Sequence, residues 1–525
     1  MPSVQPALDH PAARAATAPA AQTVPGARTA PASRTAPASR TEPAARAMTT
    51  ARAVPARFRD RQVLPPWAGP AAASAGHDAL LPVVGADLDV PLVGGGRIRH
   101  VNLDYAASAP SLVAVADQVA RLLPYSASVH RGAGFGSQVC TAVYETARDE
   151  VGRFLSVRTD DTVVFTRNTT DAVNLLAHCV AHAVGRAARV VVLDLEHHAN
   201  LLPWSAVRRE VVESRTTPEE TLDALVTALR AEPTALLAVT GASNVTGERL
   251  PLARLAAVAH DAGARLFVDA AQLAPHARID LAGLGIDYLA FSGHKLYAPF
   301  GAGALVGRRD WLDAAPPYLA GGGAVREVTP DSVTWADAPA RHEAGTPNLP
   351  GVAALATACR TLAQLPAETL AAHDLALRHR LADGLGALPG VRVLACWPAA
   401  GTDGTRAPVG VVTFTLSGHH PDAVAVYLAA EHGISLRAGR FCAHPLLRRL
   451  GAPGGALRAS VGVGSTTADV DQLIEALDEY LAGGPRWGYT CGPGGWAPTP
   501  DDRALPEWVA STPAARVPAT SPCGT

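Results

Sequence analysis

Lys295 is the only lysine in the chain. Lysine and arginine together number 45, so the other 44 cations (45 − 1) are arginine. Arginine keeps its proton at any usable pH and cannot act as an amine nucleophile or a base. Lysine can lose its proton when its surroundings depress its pKa, and it can then form a Schiff base. Surface sites exchange the two residues freely, so a solitary lysine in an arginine-rich chain points to covalent chemistry at that position. It follows the apolar run Tyr288-Leu289-Ala290-Phe291, a short buried strand by pattern. In open α/β sheets ligands sit beyond the carboxyl ends of such strands.

Other strand ends carry polar residues that suit the same ligand. Leu266-Phe267-Val268 ends in Asp269, with Gln272 close behind. A buried acid needs a partner, and a protonated pyridine nitrogen would be one; a helix N-cap is the plainer use of such an aspartate. Val163-Val164-Phe165 leads into Asn168-Thr169-Thr170 before a helical stretch. Hydroxyls and unpaired N–H groups there suit a phosphate, and they also suit simple capping. Ser292 and His294 flank the lysine and could take further phosphate oxygens. His197, in Glu196-His197-His198-Ala199-Asn200, could lie against a ring. Two adjacent histidines could bind a metal, but no Cys/His/Asp spacing completes a site, so none is assigned. An amine, an acid for a ring nitrogen, phosphate donors and a stacking imidazole make up the inventory for pyridoxal 5′-phosphate.

The elements that must hold these residues are legible in outline. Apolar runs at 163–165, 190–193, 236–239, 266–268 and 288–291 alternate with helical stretches at 171–183, 220–231 and 251–262. Strands apolar on both faces and separated by helices predict a mostly parallel α/β sheet covered on both sides. The globular part is expected to begin near Leu92, with a large domain over 92–368 whose N-terminal segment contributes to a smaller one. That smaller α/β domain spans 369–483 and carries Cys442, with strands near 391–395, 410–416 and 457–461 and helices at 421–432 and 467–482. Residues 1–65 are Ala-, Pro- and Arg-rich, with Arg28, Arg34, Arg40, Arg46 and Arg52 six apart, and read as a disordered tail. Residues 484–525 are Gly- and Pro-rich and read as an irregular tail. The formal net charge of −2 offers no basic field for nucleic acid, and no apolar run is long enough to span a bilayer. Seven scattered cysteines without a CxxC pair suggest a reducing cytoplasm.

The chain resembles the class V aminotransferase superfamily, specifically the SufS-type (group II) cysteine desulfurase/selenocysteine lyase family, from about 98 to 482. The likeness rests on Leu103-Asp104-Tyr105-Ala106-Ala107, Val129-His130-Arg131-Gly132, the Glu196–Asn200 run and Ser243-Asn244-Val245-Thr246-Gly247. It continues in Asp269-Ala270-Ala271-Gln272, Ser292-Gly293-His294-Lys295, Glu343-Ala344-Gly345-Thr346-Pro347-Asn348 and Arg437-Ala438-Gly439-Arg440-Phe441-Cys442-Ala443. The resemblance implies fold type I of the pyridoxal-phosphate enzymes, with a seven-stranded sheet. It implies that Lys295 holds the cofactor, that Asp269 and Gln272 meet its ring, and that His197 stacks on it. Thr169, Thr170, Ser292 and His294 would bind the phosphate, with Thr346 reaching it from the second subunit of a homodimer. Asn244, Arg437 and Arg458 would hold the substrate, L-cysteine or a related amino acid. Cys442 would accept the sulfur for transfer to an acceptor protein, although an isolated cysteine is more often a small buried apolar residue. A selenocysteine lyase, a C–S lyase or an epimerase would use the same cofactor without a persulfide. The chain departs from the family at Arg440 and Phe441, where two histidines usually precede the cysteine, and at Gly134. Its two tails have no counterpart there.

Overall fold

The computed structural model describes residues 79–397 and 407–510. All of them belong to one compact unit, Pro70–Thr525. The expected tail at 1–65 lies outside the described residues.

Two helices, α1 (Val113–Leu122) and α2 (Phe135–Phe154), precede a seven-stranded sheet. In chain order its strands are β1 (Asp161–Thr166), β2 (Arg189–Leu193), β3 (Arg208–Val212), β4 (Leu236–Thr240), β5 (Arg265–Asp269), β6 (Tyr288–Ser292) and β7 (Gly303–Arg308). They lie in the order β1-β7-β6-β5-β4-β2-β3. All neighbours are parallel except β7, which runs against both β1 and β6. The expected strands are all present. β3 and β7 carried too weak a signal to be expected: β3 is polar and half exposed at an edge, and Gly303 and Gly307 interrupt β7.

The apolar runs form strands because both faces are covered. Leu237, Val239, Leu266, Val268, Leu289 and Phe291 point into one core, while Leu236, Ala238, Phe267, Tyr288 and Ala290 point into the other. Each residue along these strands therefore alternates between two apolar layers, and no polar face appears in the sequence. Helices α3 (Thr169–Ala183), α4 (Pro218–Ala231) and α5 (Leu252–Asp261) connect the strands.

α6 (Leu349–Gln364) and α7 (Ala367–Ala387) lead to a four-stranded antiparallel sheet of β8 (Val391–Leu394), β9 (Val411–Leu416), β10 (Arg437–Gly439) and β11 (Ala456–Ser460), in the order β8-β9-β11-β10. α8 (Pro421–His432) and α9 (Thr467–Gly483) cover it and share a third apolar core with Val101 and Leu103. α8 stops at Gly433, whose φ of +66° suits glycine; a Cβ there would also meet Ile98 at 2.6 Å.

Two boundaries differ from expectation. The ordered chain begins before Leu92, because Leu81 and Val83 are already buried and Leu80 N donates to Val463 O at 2.7 Å. After Gly483 the chain is not irregular throughout. β12 (Gly488–Gly492) and β13 (Gly495–Thr499) form an antiparallel hairpin, turned through Pro493 and Gly494. Its aromatic residues hold it: Tyr489 Oη donates to Glu431 Oε1 at 2.9 Å, and the Trp496 ring lies 5.8 Å from that of His420 at the start of α8. Gly- and Pro-rich composition hid those contacts.

Candidate active site

The carboxyl ends of β1, β2, β4, β5 and β6 open on one side of the large sheet, around a cavity of 380 Å³. Lys295, His197, Asp269, Gln272, Thr169, Thr170, Ser292, His294, Asn244, Arg437, Arg458 and Cys442 all line it. Of the residues singled out from sequence, only Thr346 does not; it is exposed, elsewhere on the chain.

Lys295 sits in the single 3₁₀ turn Gly293–Lys295 that follows β6. Burial pushes its pKa from 10.5 to about 8, against the opposing pull of Asp269. Asp269 ends β5 and accepts from Ala271 N at 2.9 Å; burial holds its carboxyl above the usual range. Gln272 is anchored through Nε2 to Ala106 O at 2.7 Å. His197 caps the turn of helix at His198–Leu201, its Nδ1 accepting from Ala199 N at 3.0 Å. Burial, Lys295, His198 and Arg458 together depress its pKa to about 3. It is therefore a neutral ring, and its acceptor role at Nδ1 assigns the proton to Nε2.

At the N-terminus of α3, Asn168 accepts from Asp171 N at 2.9 Å. Thr169 N donates to Ser292 Oγ at 2.8 Å, and the two hydroxyls lie 2.7 Å apart. His294, pushed down to about 4 by burial and Lys295, adds a neutral ring, with Nδ1 at 3.3 Å from Ser108 Oγ. Hydroxyls, the His294 ring and a helix N-terminus thus come together on the cavity wall, the donor set for a phosphate. A depressed amine, a buried acid and a neutral flat ring line the rest. These residues fit pyridoxal 5′-phosphate.

Cys442 reaches the cavity from the smaller sheet, on the loop after β10. That loop is tied down by the large sheet: His198 N donates to Cys442 O at 2.9 Å, and Asn244 Nδ2 to Phe441 O at 2.9 Å. Phe441 and Cys442 have φ of +52° and +51°, left-handed values that non-glycine residues adopt at a cost of about 1 kcal/mol or more each. The ties compensate and fix where the thiol points. Arg458, on β11, is 4% exposed and donates through Nη1 to Asn244 O at 2.9 Å. Its Nε has no partner and is buried.

A sequence family described as Aminotransferase class-V matches residues 101–473. This chain belongs to the class V aminotransferases, in the cysteine desulfurase family. The cysteine desulfurase CsdA of Escherichia coli (strain K12) is 39% identical over 389 residues, covering 73% of this chain and 94% of the relative. A cysteine desulfurase of Klebsiella pneumoniae (strain 342) is 37% identical over 393 residues, covering 72% and 94%. Among solved structures, Escherichia coli CsdA in its S-sulfonic acid form matches at TM-score 0.65 and 37% identity over 73% of this chain and 95% of that one. The apo cysteine desulfurase of Thermococcus onnurineus NA1 matches at TM-score 0.67 and 31% identity, with the same coverage.

In this class V aminotransferase the sequence also left two features without a role. Asp104 lies against both Arg437 and Arg458, at 3.1 and 3.4 Å. Phe441 lays its ring 5.1 Å from the Arg458 guanidinium carbon. Asp104 stands inside a quoted motif, but nothing in its spacing reveals partners more than 300 residues away.

Proposed function

We propose that this chain is a pyridoxal 5′-phosphate-dependent L-cysteine desulfurase that releases L-alanine and retains the sulfur on Cys442 as a persulfide. One observation carries the proposal: a single cavity is lined by the chain's only lysine, a buried arginine and a thiol from the opposite sheet.

Lys295 would hold the cofactor, with Asp269 at the ring nitrogen, Gln272 at the ring hydroxyl and His197 against its face. Thr169, Thr170, Ser292 and His294 would take the phosphate. When bound, pyridoxal 5′-phosphate supplies an electron sink conjugated to the substrate α-carbon. The chain's own residues do the rest. Arg458 and Asn244 hold the substrate carboxylate, which fixes the α-carbon relative to the amine. With a pKa of about 8, the Lys295 amine exists in both protonation states near neutrality, so Nζ can take the α-proton and return it. The Cys442 thiolate attacks the substrate sulfur, the carbon–sulfur bond breaks, and the electron pair stays with carbon, which is protonated to give alanine. Atoms balance: cysteine plus enzyme thiol gives alanine plus enzyme persulfide.

We further propose a homodimer, in which Thr346 of a second copy reaches the phosphate end. The exposed Phe300 ring stacked on His294 at 5.5 Å supports a covered face there. Among the described residues no helix is long and apolar enough to cross a membrane. The scattered cysteines support a cytoplasmic setting, and an acceptor protein would receive the sulfur.

The test is to mix the loaded protein with L-cysteine and follow alanine, sulfide and the mass of the Cys442 peptide. Equal alanine and sulfur, with that peptide heavier by one sulfur atom, is expected, and Cys442→Ala should abolish both. Undiminished turnover by Cys442→Ala would replace the desulfurase with a C–S lyase.

A further inference from the structure

Arg437 on β10 and Arg458 on β11 are directly paired residues on adjacent antiparallel strands. Like charges placed opposite each other repel. Asp104 lies against both: Oδ2 is 3.1 Å from Arg437 Nη2, and Oδ1 is 3.4 Å from Arg458 Nη2. Its carboxylate offsets the repulsion and gives both guanidinium groups one shared anchor.

The anchor is itself held. Asp104 N donates to Asn102 Oδ1 at 3.0 Å. On either side of it the chain is stitched to the end of β11, Ser460 N donating to Leu103 O at 2.7 Å and Ala106 N to Ser460 Oγ at 2.9 Å. Arg458 must therefore conform to Asp104. One hydrogen of Nη2 goes to Asp104 and one of Nη1 to Asn244 O at 2.9 Å. Arginine has five N–H donors, so Nη1 and Nη2 each keep a second hydrogen on a residue that lines the cavity, while Nε is enclosed and has no protein acceptor. A carboxylate in the cavity would accept a charge-assisted hydrogen bond from the remaining Nη hydrogens.

We infer that Asp104 is a positioning residue for substrate selection: by holding Arg437 and Arg458 together at the cavity wall, it sets the Arg458 guanidinium for the α-carboxylate of an amino-acid ligand. The inference rests on the amino-acid substrate proposed above. It assigns to Asp104 the preference for an amino acid over the amine that lacks the carboxylate.

The experiment uses full-length, cofactor-loaded wild type, Asp104→Asn and Asp104→Glu. Dissociation constants for L-alanine and for ethylamine, which lacks the carboxylate, are measured by absorbance titration. Asp104→Asn should weaken L-alanine about ten-fold or more while changing ethylamine by no more than about two-fold, as expected when one charge-assisted contact is misaligned. Asp104→Glu, which keeps the charge, should restore part of the preference. A structural role alone would weaken both ligands together. Equal weakening, no change in either ligand, or a wild type without preference for L-alanine would each overturn the inference. Should Asp104→Asn fail to fold, Asp104→Glu decides alone: a preference between that of wild type and none supports the inference, and an unaltered one overturns it. Binding is read without turnover, so absence of alanine production from L-cysteine would sink the desulfurase reaction while leaving this comparison intact.

Discussion

Lys295 is where the physical chemistry of the site can be tested most directly, because no other lysine competes for the label. The perturbation is pH, applied to cofactor-free protein under reductive methylation, which only a neutral amine undergoes. A lysine with pKa about 8 is about one-quarter neutral at pH 7.5, against about one part in a thousand at 10.5, a gain of roughly 240-fold. The labelling rate of the Lys295 peptide should therefore rise through a midpoint near pH 8 and level off by about pH 9.5. Peptide mapping is required, since an N-terminal amine also titrates near pH 8. Burial is the main cause of the shift, while Asp269 pulls the other way and Arg458 pushes with burial. Asp269→Asn removes the anion that favours the charged amine, so the midpoint should move to lower pH. Arg458→Gln removes a like charge, so it should move up. Lys295→Arg should leave no label at this peptide. A midpoint near 10.5, or the same movement in both neighbours' variants, would refute the account of how this amine is activated.

Alkylation at neutral pH should favour Cys442 and Cys491, the half-buried and exposed cysteines among those described. Cys140, Cys179, Cys359 and Cys396 should resist: all four are buried, and burial pushes Cys179 up to about 12 and Cys359 and Cys396 higher still. Peptide masses after brief iodoacetamide treatment check this, and early label on Cys359 would contradict it. A chain ending at Gly483 loses the hairpin over α8, including the Tyr489–Glu431 hydrogen bond. It should remain folded but lose about 2 kcal/mol, the scale of uncovering one partly buried aromatic, seen as a lower thermal midpoint; an unchanged midpoint would show that the hairpin contributes nothing.

Much of this protein was legible before any coordinates. Lys295 stood out because arginine cannot do its chemistry, and that distinction is chemical rather than spatial. The runs at 190–193, 236–239 and 288–291 announced a covered parallel sheet, since a strand buried on both faces leaves no alternation. Putting polar residues after such runs already placed Asp269, Ser292 and His197 on one rim, because parallel strands share a carboxyl end. The sequence was silent wherever a partner came from far along the chain. β7 is glycine-interrupted and becomes a strand only because β1 and β6 flank it, while the C-terminal hairpin is held by aromatic contacts to α8. The thiol loop acquires its left-handed turn only through ties to His198 and Asn244. Asp104 reads as one acid among 47 acidic residues until the sheet sets Arg437 opposite Arg458 and leaves it between them. Residue type determined which reactions were available, and tertiary structure determined which charges had to share a space, because hydrogen bonds and charge repulsion depend on distance in space.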